Sequence, residues 1–165
     1  MNIIMTGSTS FVGAATVREL LRRGHTVTAI VRPKSSKLDT ILEGNEEALL
    51  SGRLLVIEND LSEPERLLEK VTKPQDVFCH FGWGGSGSVS RTDKALQEKN
   101  MEISLETVRT AEALGCSKFL FSGSQAEYGM HRDLITEETV CEPKSLYGEA
   151  KLAMREKGEK LCGEL

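Results

Sequence analysis

The fold is decided by the stretch MNIIMTGSTSFVGAA at residues 1–15. A short apolar run breaks at Gly7 and gives way to helical spacing, which predicts a strand, a tight turn and a helix. Gly24 follows this helical stretch, at the place where a left-handed residue often ends a helix. The next residues, 25–31, are rich in β-branched side chains and predict a second strand. The chain therefore begins with a βαβ unit.

The two glycines of this stretch fit a dinucleotide-binding turn. Gly7 lets the chain turn at the strand end, and Gly13 lets the helix approach the strand closely. The helix N-terminus would then point free N–H groups at a diphosphate. Ser10 stands where a third glycine is usual. Its Cβ limits how closely the backbone can approach a diphosphate, although its hydroxyl could donate a hydrogen bond to a phosphate. Glycine pairs also occur in flavodoxin-like folds, so a small flavodoxin-like signalling domain is an alternative.

The rest of the chain continues the alternation of strands and helices. Further strands are predicted at residues 53–58, 76–81 and 117–122. Ser62 and Glu65 resemble a capping box that opens a short helix to about Val71, and a long helix is predicted over residues 91–114. The segment 34–50 is predicted to be partly helical, with an interruption at residues 44–45. This order predicts one α/β domain over residues 1–165, a doubly wound parallel sheet of the Rossmann type.

In such a sheet the carboxyl ends of the strands line one edge, where ligands bind. Gly7, Arg32, Asp60, the glycine-rich loop 82–88 and the segment 122–129 would all lie on that edge. We therefore expect them to converge on one crevice.

Composition fits this fold and excludes several functions. The chain has 165 residues, of which 39% are hydrophobic and 28% charged, enough for one core. Its net charge of −4 gives no reason to expect nucleic acid as a partner. No apolar stretch could span a bilayer and no basic leader precedes one, so we expect no membrane partner and a cytoplasmic location. The four cysteines are widely spaced, which indicates reduced thiols and no metal site.

Tyr147 and Lys151 form a possible proton-transfer pair. They are four residues apart, so on a helix they share one face. A tyrosine becomes a usable acid or base near neutral pH only when a nearby positive charge favours its phenolate, and Lys151 could supply that charge. The simpler interpretation of this spacing is a solvated surface pair.

Six segments together resemble a known family, the extended branch of the short-chain dehydrogenase/reductases, which contains nucleotide-sugar epimerases, dehydratases and reductases. The resemblance spans residues 1–161. It is carried by TGSTSFVG at residues 6–13, NDL at 59–61, HFG at 80–82, Asn100, FSGSQAEYG at 121–129 and PKSLYGEAK at 143–151.

The resemblance implies a role for each matching residue. Tyr147 would be the catalytic acid/base, Lys151 would bind the nicotinamide ribose and lower the tyrosine pKa, and Ser124 would hydrogen-bond the substrate oxygen. Asn100 would play a supporting part by ordering the active-site helix and a water, and both Asn100 and Tyr147 would also border the cofactor. The remaining cofactor contacts would come from the pyrophosphate group Gly7, Ser10, Phe11, Val12 and Gly13, from Asp60 and Leu61 at the adenine, and from Phe81 and Gly82. At a strand end, Ser124 could also be a simple turn or capping residue.

Cofactor preference can be argued from the end of the second strand. NAD enzymes commonly place a carboxylate there to accept from the ribose 2′-hydroxyl. This chain has Arg32, followed by Lys34, and a guanidinium matches a 2′-phosphate well. NADP(H) is therefore favoured over NAD(H), unless both cations are simply solvated.

The residues after Ser124 bear on the reaction type. Dehydratases of this branch carry acidic residues there, whereas this chain has Gln125 and Ala126. The resemblance therefore favours a nucleoside-diphosphate-sugar 4-epimerase or 4-ketoreductase over a dehydratase. Glu127 follows, where the family usually has an apolar residue, and its role does not follow from the sequence.

Members of this branch continue beyond the tyrosine helix into a C-terminal domain that binds the sugar nucleotide, but this chain stops at Leu165. We expect either a fragment of a longer enzyme or a shortened protein, and the fifth strand would then present an unpaired edge. The alternative function is a non-catalytic NAD(P)-binding module, acting as a redox sensor or interaction partner. By the resemblance, the helices of Asn100 and Tyr147 would form a homodimer interface. Four apolar residues could serve that interface or the sheet: Met101, Leu105, Val108 and Leu114.

Overall fold

The computed structural model describes residues 1–85 and 87–165 and contains one five-stranded sheet. Its strands run in the order β3-β2-β1-β4-β5, and every neighbouring pair is parallel. The predicted doubly wound parallel sheet is confirmed. The strands are β1 (Asn2–Thr6), β2 (Thr26–Val31), β3 (Leu54–Glu58), β4 (Val77–His80) and β5 (Lys118–Phe121).

Helices separate the strands in sequence. They are α1 (Phe11–Arg22), α2 (Asp39–Leu42), α3 (Glu46–Leu50), α4 (Leu67–Lys70), α5 (Lys94–Ala113) and α6 (Leu146–Glu164), with short 3-10 turns at Pro64–Arg66, Ser90–Thr92 and Gln125–Glu127. The partial helix expected within residues 34–50 is confirmed as α2 and α3, which are separated by Gly44 and Asn45. Ser86, within the predicted glycine-rich loop, lies outside the described residues.

Apolar side chains cover both faces of the sheet. One cluster joins Ile3 and Met5 of β1 to Val17 of α1, and the other joins Ile4 to Ala111 of α5. Because successive side chains of a strand point to opposite faces, the two clusters lie on opposite sides of the sheet. The three central strands β2, β1 and β4 are buried almost continuously for this reason, and β2 has five of its six residues buried. The edge strand β5 alternates between exposed and half-buried residues.

The predicted capping box at Ser62 is wrong. The Ser62 backbone N–H and hydroxyl both donate to Asp60 Oδ1, at 2.9 and 2.7 Å, so Ser62 belongs to the turn that precedes the helix. Pro64 then begins a 3-10 turn, and α4 starts only at Leu67. The Asp60 carboxylate binds the Ser62 hydroxyl that would otherwise cap the helix. Pro64 suits the first position of a helix because it has no N–H to leave unpaired.

The chain divides into two compact units. The first unit is Met1–Gly82 with Glu106–Phe121 and contains the whole sheet; the second unit is Trp83–Leu105 with Ser122–Leu165. The expectation of a single domain over residues 1–165 stays a prediction. No helix in the described ranges is long and apolar enough to cross a membrane.

Candidate functional site

The turn between β1 and α1 is constrained by its glycines. Gly7 has a φ of +70°, a left-handed conformation that favours glycine. A Cβ on Gly13 would lie 2.1 Å from the Gly7 carbonyl oxygen, which no side chain can tolerate. Ser10 caps the helix, since its Oγ accepts from the Gly13 N–H at 3.0 Å. The sequence pattern therefore gives the expected strand, tight turn and helix, with a serine cap in the position of the missing third glycine.

Three strand ends meet beside this turn. A Cβ on Gly7 would lie 2.7 Å from the Phe81 carbonyl carbon, and one on Gly82 would lie 2.8 Å from Leu61 Cδ1. Thr6 Oγ1 lies 2.9 Å from His80 Nδ1 and accepts from the Gly82 N–H at 3.2 Å. The first unit thus brings Gly7, Phe81, Gly82 and Leu61 together.

Arg32 and Asp60 follow β2 and β3. Both are exposed, as expected for residues just beyond strand ends. The hydrogen bonds from Ser62 hold the pKa of the Asp60 carboxyl below its ordinary value, and the charge of Arg32 acts in the same direction. Asp60 therefore stabilises its own turn as an anion. Its predicted adenine contact stays a prediction.

Helix α6 places Tyr147 and Lys151 in buried positions of the second unit. Ser145 caps the helix by accepting from the Gly148 N–H at 3.1 Å. A Cβ on Gly148 would lie 2.3 Å from the Ala126 carbonyl oxygen, so the first turn of α6 packs directly against the Gln125–Glu127 turn. The exposed fraction is 8% for Tyr147 and 3% for Lys151. The simpler interpretation of a solvated surface pair is therefore wrong.

The ammonium group of Lys151 is surrounded by a carbonyl and an aromatic ring. Nζ donates to the Ser122 carbonyl oxygen at 2.8 Å and lies 4.0 Å from the centroid of the Trp83 ring, a cation–π distance. Burial lowers the pKa of Lys151 to about 8, and the negative charge of Glu127 partly opposes this shift. Lys151 is therefore charged near neutral pH but close to its titration.

The phenol ring of Tyr147 lies between two other side chains. The Arg91 guanidinium carbon is 4.8 Å from the ring centroid, and the Trp83 indole meets the ring edge-on, with centroids 6.2 Å apart. Trp83 Nε1 also donates to Gln97 Oε1 at 2.9 Å, which fixes the indole. Sequence reasoning did not place Trp83 or Arg91 in the site. The one available signal was a lone tryptophan within a glycine-rich loop.

Ser124 and Glu127 form a reciprocal cap on the Gln125–Glu127 turn. Ser124 Oγ accepts from the Ala126 N–H at 3.2 Å, while the Ser124 N–H donates to Glu127 Oε1. The capping interpretation of Ser124 is therefore confirmed. This does not exclude a substrate contact, because a hydroxyl that accepts a hydrogen bond still has its own proton to donate.

Asn100 connects α5 to the glycine-rich loop. Its side-chain oxygen accepts from the Gly84 N–H at 3.1 Å, and its side-chain nitrogen donates to the Gly84 carbonyl at 2.7 Å. Only 4% of Asn100 is exposed. The residue orders the loop that also carries Trp83, so it supports the site indirectly.

The predicted site residues divide between the two units. The second unit holds Asn100, Ser124, Tyr147 and Lys151, and the first holds Gly7, Ser10, Phe11, Val12, Gly13, Arg32, Asp60, Leu61, Phe81 and Gly82. In the first unit, Gly7, Phe81, Gly82 and Leu61 are neighbours. In the second, Tyr147 and Lys151 both contact Trp83. The convergence of the two groups on one crevice, and every assigned role, stay predictions.

A doubly wound parallel sheet with a glycine-constrained first βα turn defines a Rossmann-type protein. A model of the NAD-dependent epimerase/dehydratase family matches residues 3–163. The chain therefore belongs to this family.

Curated relatives with similar sequences include both dehydrogenases and epimerases. A D-erythronate dehydrogenase of Cupriavidus necator is 29% identical over 92% of this chain and 47% of its own length. A dTDP-6-deoxy-L-talose 4-dehydrogenase (NAD(+)) of Aggregatibacter actinomycetemcomitans is 29% identical over 94% and 53%. A UDP-glucose 4-epimerase of Oryza sativa is 27% identical over 93% and 42%. The chain spans about half the length of the curated relatives that it matches.

Crystal structures support the fold. A UDP-glucose 4-epimerase has a TM-score of 0.83 at 24% identity, over 99% of this chain and 48% of its own. The Thermus thermophilus UDP-glucose 4-epimerase in complex with NAD has a TM-score of 0.81 at 22% identity, over 99% and 51%.

Proposed function

We propose that the chain is an NAD(P)-dependent oxidoreductase or epimerase that acts on a nucleoside-diphosphate sugar. The observation that carries this proposal is the buried pair of Tyr147 and Lys151 on α6. Burying a lysine is unfavourable unless its charge is compensated, so a buried lysine beside a buried phenol suits proton transfer better than a surface role. Membership of an NAD-dependent family supports the same interpretation.

The first βα turn fits a dinucleotide diphosphate. Gly7 and Gly13 allow strand and helix to meet at backbone contact distance, and the first N–H groups of a helix have no partner within the helix itself. Phe11 and Val12, at the start of α1, are 94% and 59% exposed, so this end of the helix is accessible. In this proposal residues Gly7 and Ser10 to Gly13 hold the diphosphate, Asp60 and Leu61 the adenine, and Phe81 and Gly82 border the same ligand. A nicotinamide cofactor would supply a hydride acceptor or donor.

The side chains of the second unit would handle the proton. Tyr147 would take the proton from a substrate hydroxyl or return it to a carbonyl oxygen, with Lys151 stabilising the phenolate that forms. Ser124 would donate its hydroxyl proton to the same substrate oxygen and so stabilise charge that develops there. Trp83 and Arg91 would restrict the motion of the phenol ring from two sides.

The choice between cofactors rests on Arg32. We propose that NADP(H) is preferred over NAD(H), because an exposed guanidinium at the end of β2 suits a 2′-phosphate. The comparisons that name a cofactor name NAD, which favours the opposite choice. Calorimetric titration with all four nucleotides decides between them. We expect Arg32→Ala to weaken binding of NADPH while leaving NADH binding unchanged, and tighter binding of NADH to the unaltered protein would reverse the assignment.

For the reaction, we favour a 4-epimerase or a 4-ketoreductase over a dehydratase, because Gln125 and Ala126 add no further acid/base group. One relative is named for D-erythronate, which carries no nucleotide, so the substrate panel includes free sugar acids. The alternative function is an NAD(P)-binding module without turnover. The relatives are about twice as long as this chain. Turnover by the 165-residue chain by itself is therefore a separate part of the proposal and has to be measured.

The test combines cofactor binding with turnover of a panel of 4-keto and 4-hydroxy nucleotide sugars and free sugar acids. Tyr147→Phe should lower kcat at least about 100-fold with a much smaller effect on cofactor affinity, since the phenolic hydroxyl that carries the proton is lost. The other tyrosine of the chain provides the control, and Tyr128→Phe should retain kcat. Cofactor binding without turnover in the unaltered protein would point to the module, and no binding of either nucleotide would contradict both functions.

We also propose a homodimer through α5 and α6, in a cytoplasmic protein. Val108 and Leu114 are buried, and Leu114 packs in the cluster on the sheet. Met101 and Leu105 are only half-buried and could contribute to an interface. Sedimentation at micromolar concentration tests this, and a monomer there would contradict it.

A further inference from the structure

Glu127 is a buried carboxylate that the proposed catalytic roles do not use. Only 2% of it is exposed. A carboxylate in that position is costly unless its oxygens are satisfied. Oε1 accepts from the Ser124 N–H, and Oε2 lies 3.6 Å from Arg155 Nη1, an ion-pair distance. The chain therefore maintains a charge in an enclosed position by two specific contacts.

The surrounding backbone is fitted to this carboxylate. A Cβ on Gly123 would lie 2.9 Å from Glu127 Oε1, so a side chain at this position would displace the carboxylate from its place. The same 3-10 turn receives the first turn of α6 at Gly148. Glu127 thus stabilises the backbone that presents Ser124 and supports the helix of Tyr147 and Lys151.

The charge of Glu127 also acts on Lys151. Glu127 lies on the 3-10 turn that follows Ser122, whose carbonyl oxygen accepts from Lys151 Nζ at 2.8 Å. The phenol ring of Tyr147 has its centroid 6.0 Å from Nζ, and Arg91 contacts that ring. Arg155 on α6 pairs with Glu127. The negative charge of Glu127 favours the positive charge of the ammonium. Its attraction raises the pKa of Lys151 against the effect of burial.

We propose that Glu127 is a positioning residue of the site: its carboxylate fixes the turn that presents Ser124 and supplies the negative charge that stabilises the Lys151 ammonium. This inference rests on the proposed function only for the roles of Ser124 and Lys151. The geometric and electrostatic effects can be measured on the chain without cofactor or substrate. Failure of the proposed enzymatic function would therefore leave these measurements intact.

The charge is tested with Glu127→Gln, whose amide oxygen can still accept from Ser124. The readout is the titration of Lys151 followed by the NMR signal of its side-chain Cε. We expect the midpoint to fall from about 8 by about one pH unit. As a control, Glu159→Gln removes an exposed acid from α6, the helix that carries Lys151, and should leave the Lys151 midpoint unchanged. An unchanged midpoint in the Glu127→Gln protein would overturn the electrostatic part.

The geometry is tested with Glu127→Ala, which removes the acceptor. Exchange of the Ser124 amide hydrogen should accelerate at least about tenfold, while Glu127→Gln should retain protection of this amide. Equal exchange in the alanine and unaltered proteins would overturn the positioning role. If Glu127→Gln does not fold, Arg155→Met is the second test of charge. Removing the cation that pairs with Glu127 Oε2 leaves the carboxylate charge less compensated, so the Lys151 midpoint should rise; a midpoint that stays or falls would contradict the proposal.

Discussion

Lys151 carries its charge in surroundings that favour the neutral amine. The Ser122 carbonyl and the face of Trp83 contact the ammonium in place of the water that a lysine normally retains, and burial lowers its pKa to about 8. A cation this close to its titration responds strongly to any nearby change of charge. The stabilisation that its positive charge can give a Tyr147 phenolate should therefore depend on nearby charges more strongly than it would for an exposed lysine.

The stability of the protein should depend on pH through Lys151. Its folded-state pKa of about 8 lies below the ordinary value of 10.5, so between these values the unfolded chain binds more protons than the folded chain. Stability therefore rises with pH across this window, by about 3 kcal/mol if the full difference applies. In Lys151→Met this increment should be missing. Urea unfolding of both proteins from about pH 7 to about pH 10.5 measures the difference.

Lys160 provides the control for this measurement. Its side chain is 80% exposed, so Lys160→Met should show the same pH dependence as the unaltered protein. A constant stability difference between Lys151→Met and the unaltered protein across the window would show that Lys151 titrates normally.

Sequence reasoning named candidate residues of the site but not the side chains that surround them. Tyr147, Lys151 and Ser124 were predicted because they belong to short local motifs. Trp83 and Arg91 were missed, because their contacts with α6 join segments more than fifty residues apart. No local spacing indicates such contacts. The role of Glu127 was likewise inaccessible, since its partner Arg155 lies on a different element.

At the scale of elements, the strands were predicted to within one residue of their observed ends. Runs of β-branched and apolar residues bounded by glycine or polar residues are a strong local signal. The start of the helix after β3 was not predicted correctly, because Ser62, Asp60 and Pro64 offer competing local structures. The long helix was predicted three residues too early, at Arg91, whereas α5 begins at Lys94 after Asp93 accepts from the Leu96 N–H.

The start of α1 should not tolerate a side chain at Gly13. Gly13→Ala places a methyl group 2.1 Å from the Gly7 carbonyl oxygen, so the helix and the strand must separate. We expect a loss of about 2 kcal/mol or more in the free energy of unfolding, together with weaker cofactor binding. Chemical denaturation measures the first effect. Gly163→Ala has open space at its Cβ and should be neutral or slightly stabilising. Equal stability of the two variants would contradict the close approach at Gly13.

For the whole molecule, the two units differ in how their apolar residues are buried. Both apolar clusters that enclose the sheet belong to the first unit. The second unit exposes large apolar side chains along residues 130–140, with Met130 at 88%, Leu134 at 89% and Val140 at 71%. Local opening is easiest where few apolar contacts must be broken. The units should therefore not be equally protected.

Hydrogen exchange should reveal this difference. We expect backbone amides in residues 130–140 to exchange first, and those of β1, β2 and β4 last, because these strands are buried under both clusters. Mass spectrometry of peptides from exchanged protein measures the order. Similar rates in the central strands and in residues 130–140 would contradict it.

The protein contains a single tryptophan, Trp83, and its indole lies against the Lys151 ammonium. Its native emission is therefore an internal optical reporter, with no label and no competing indole elsewhere in the chain. The spectrum should change as Lys151 gains or loses its proton. The same fluorescence could follow nucleotide binding in real time during rapid mixing.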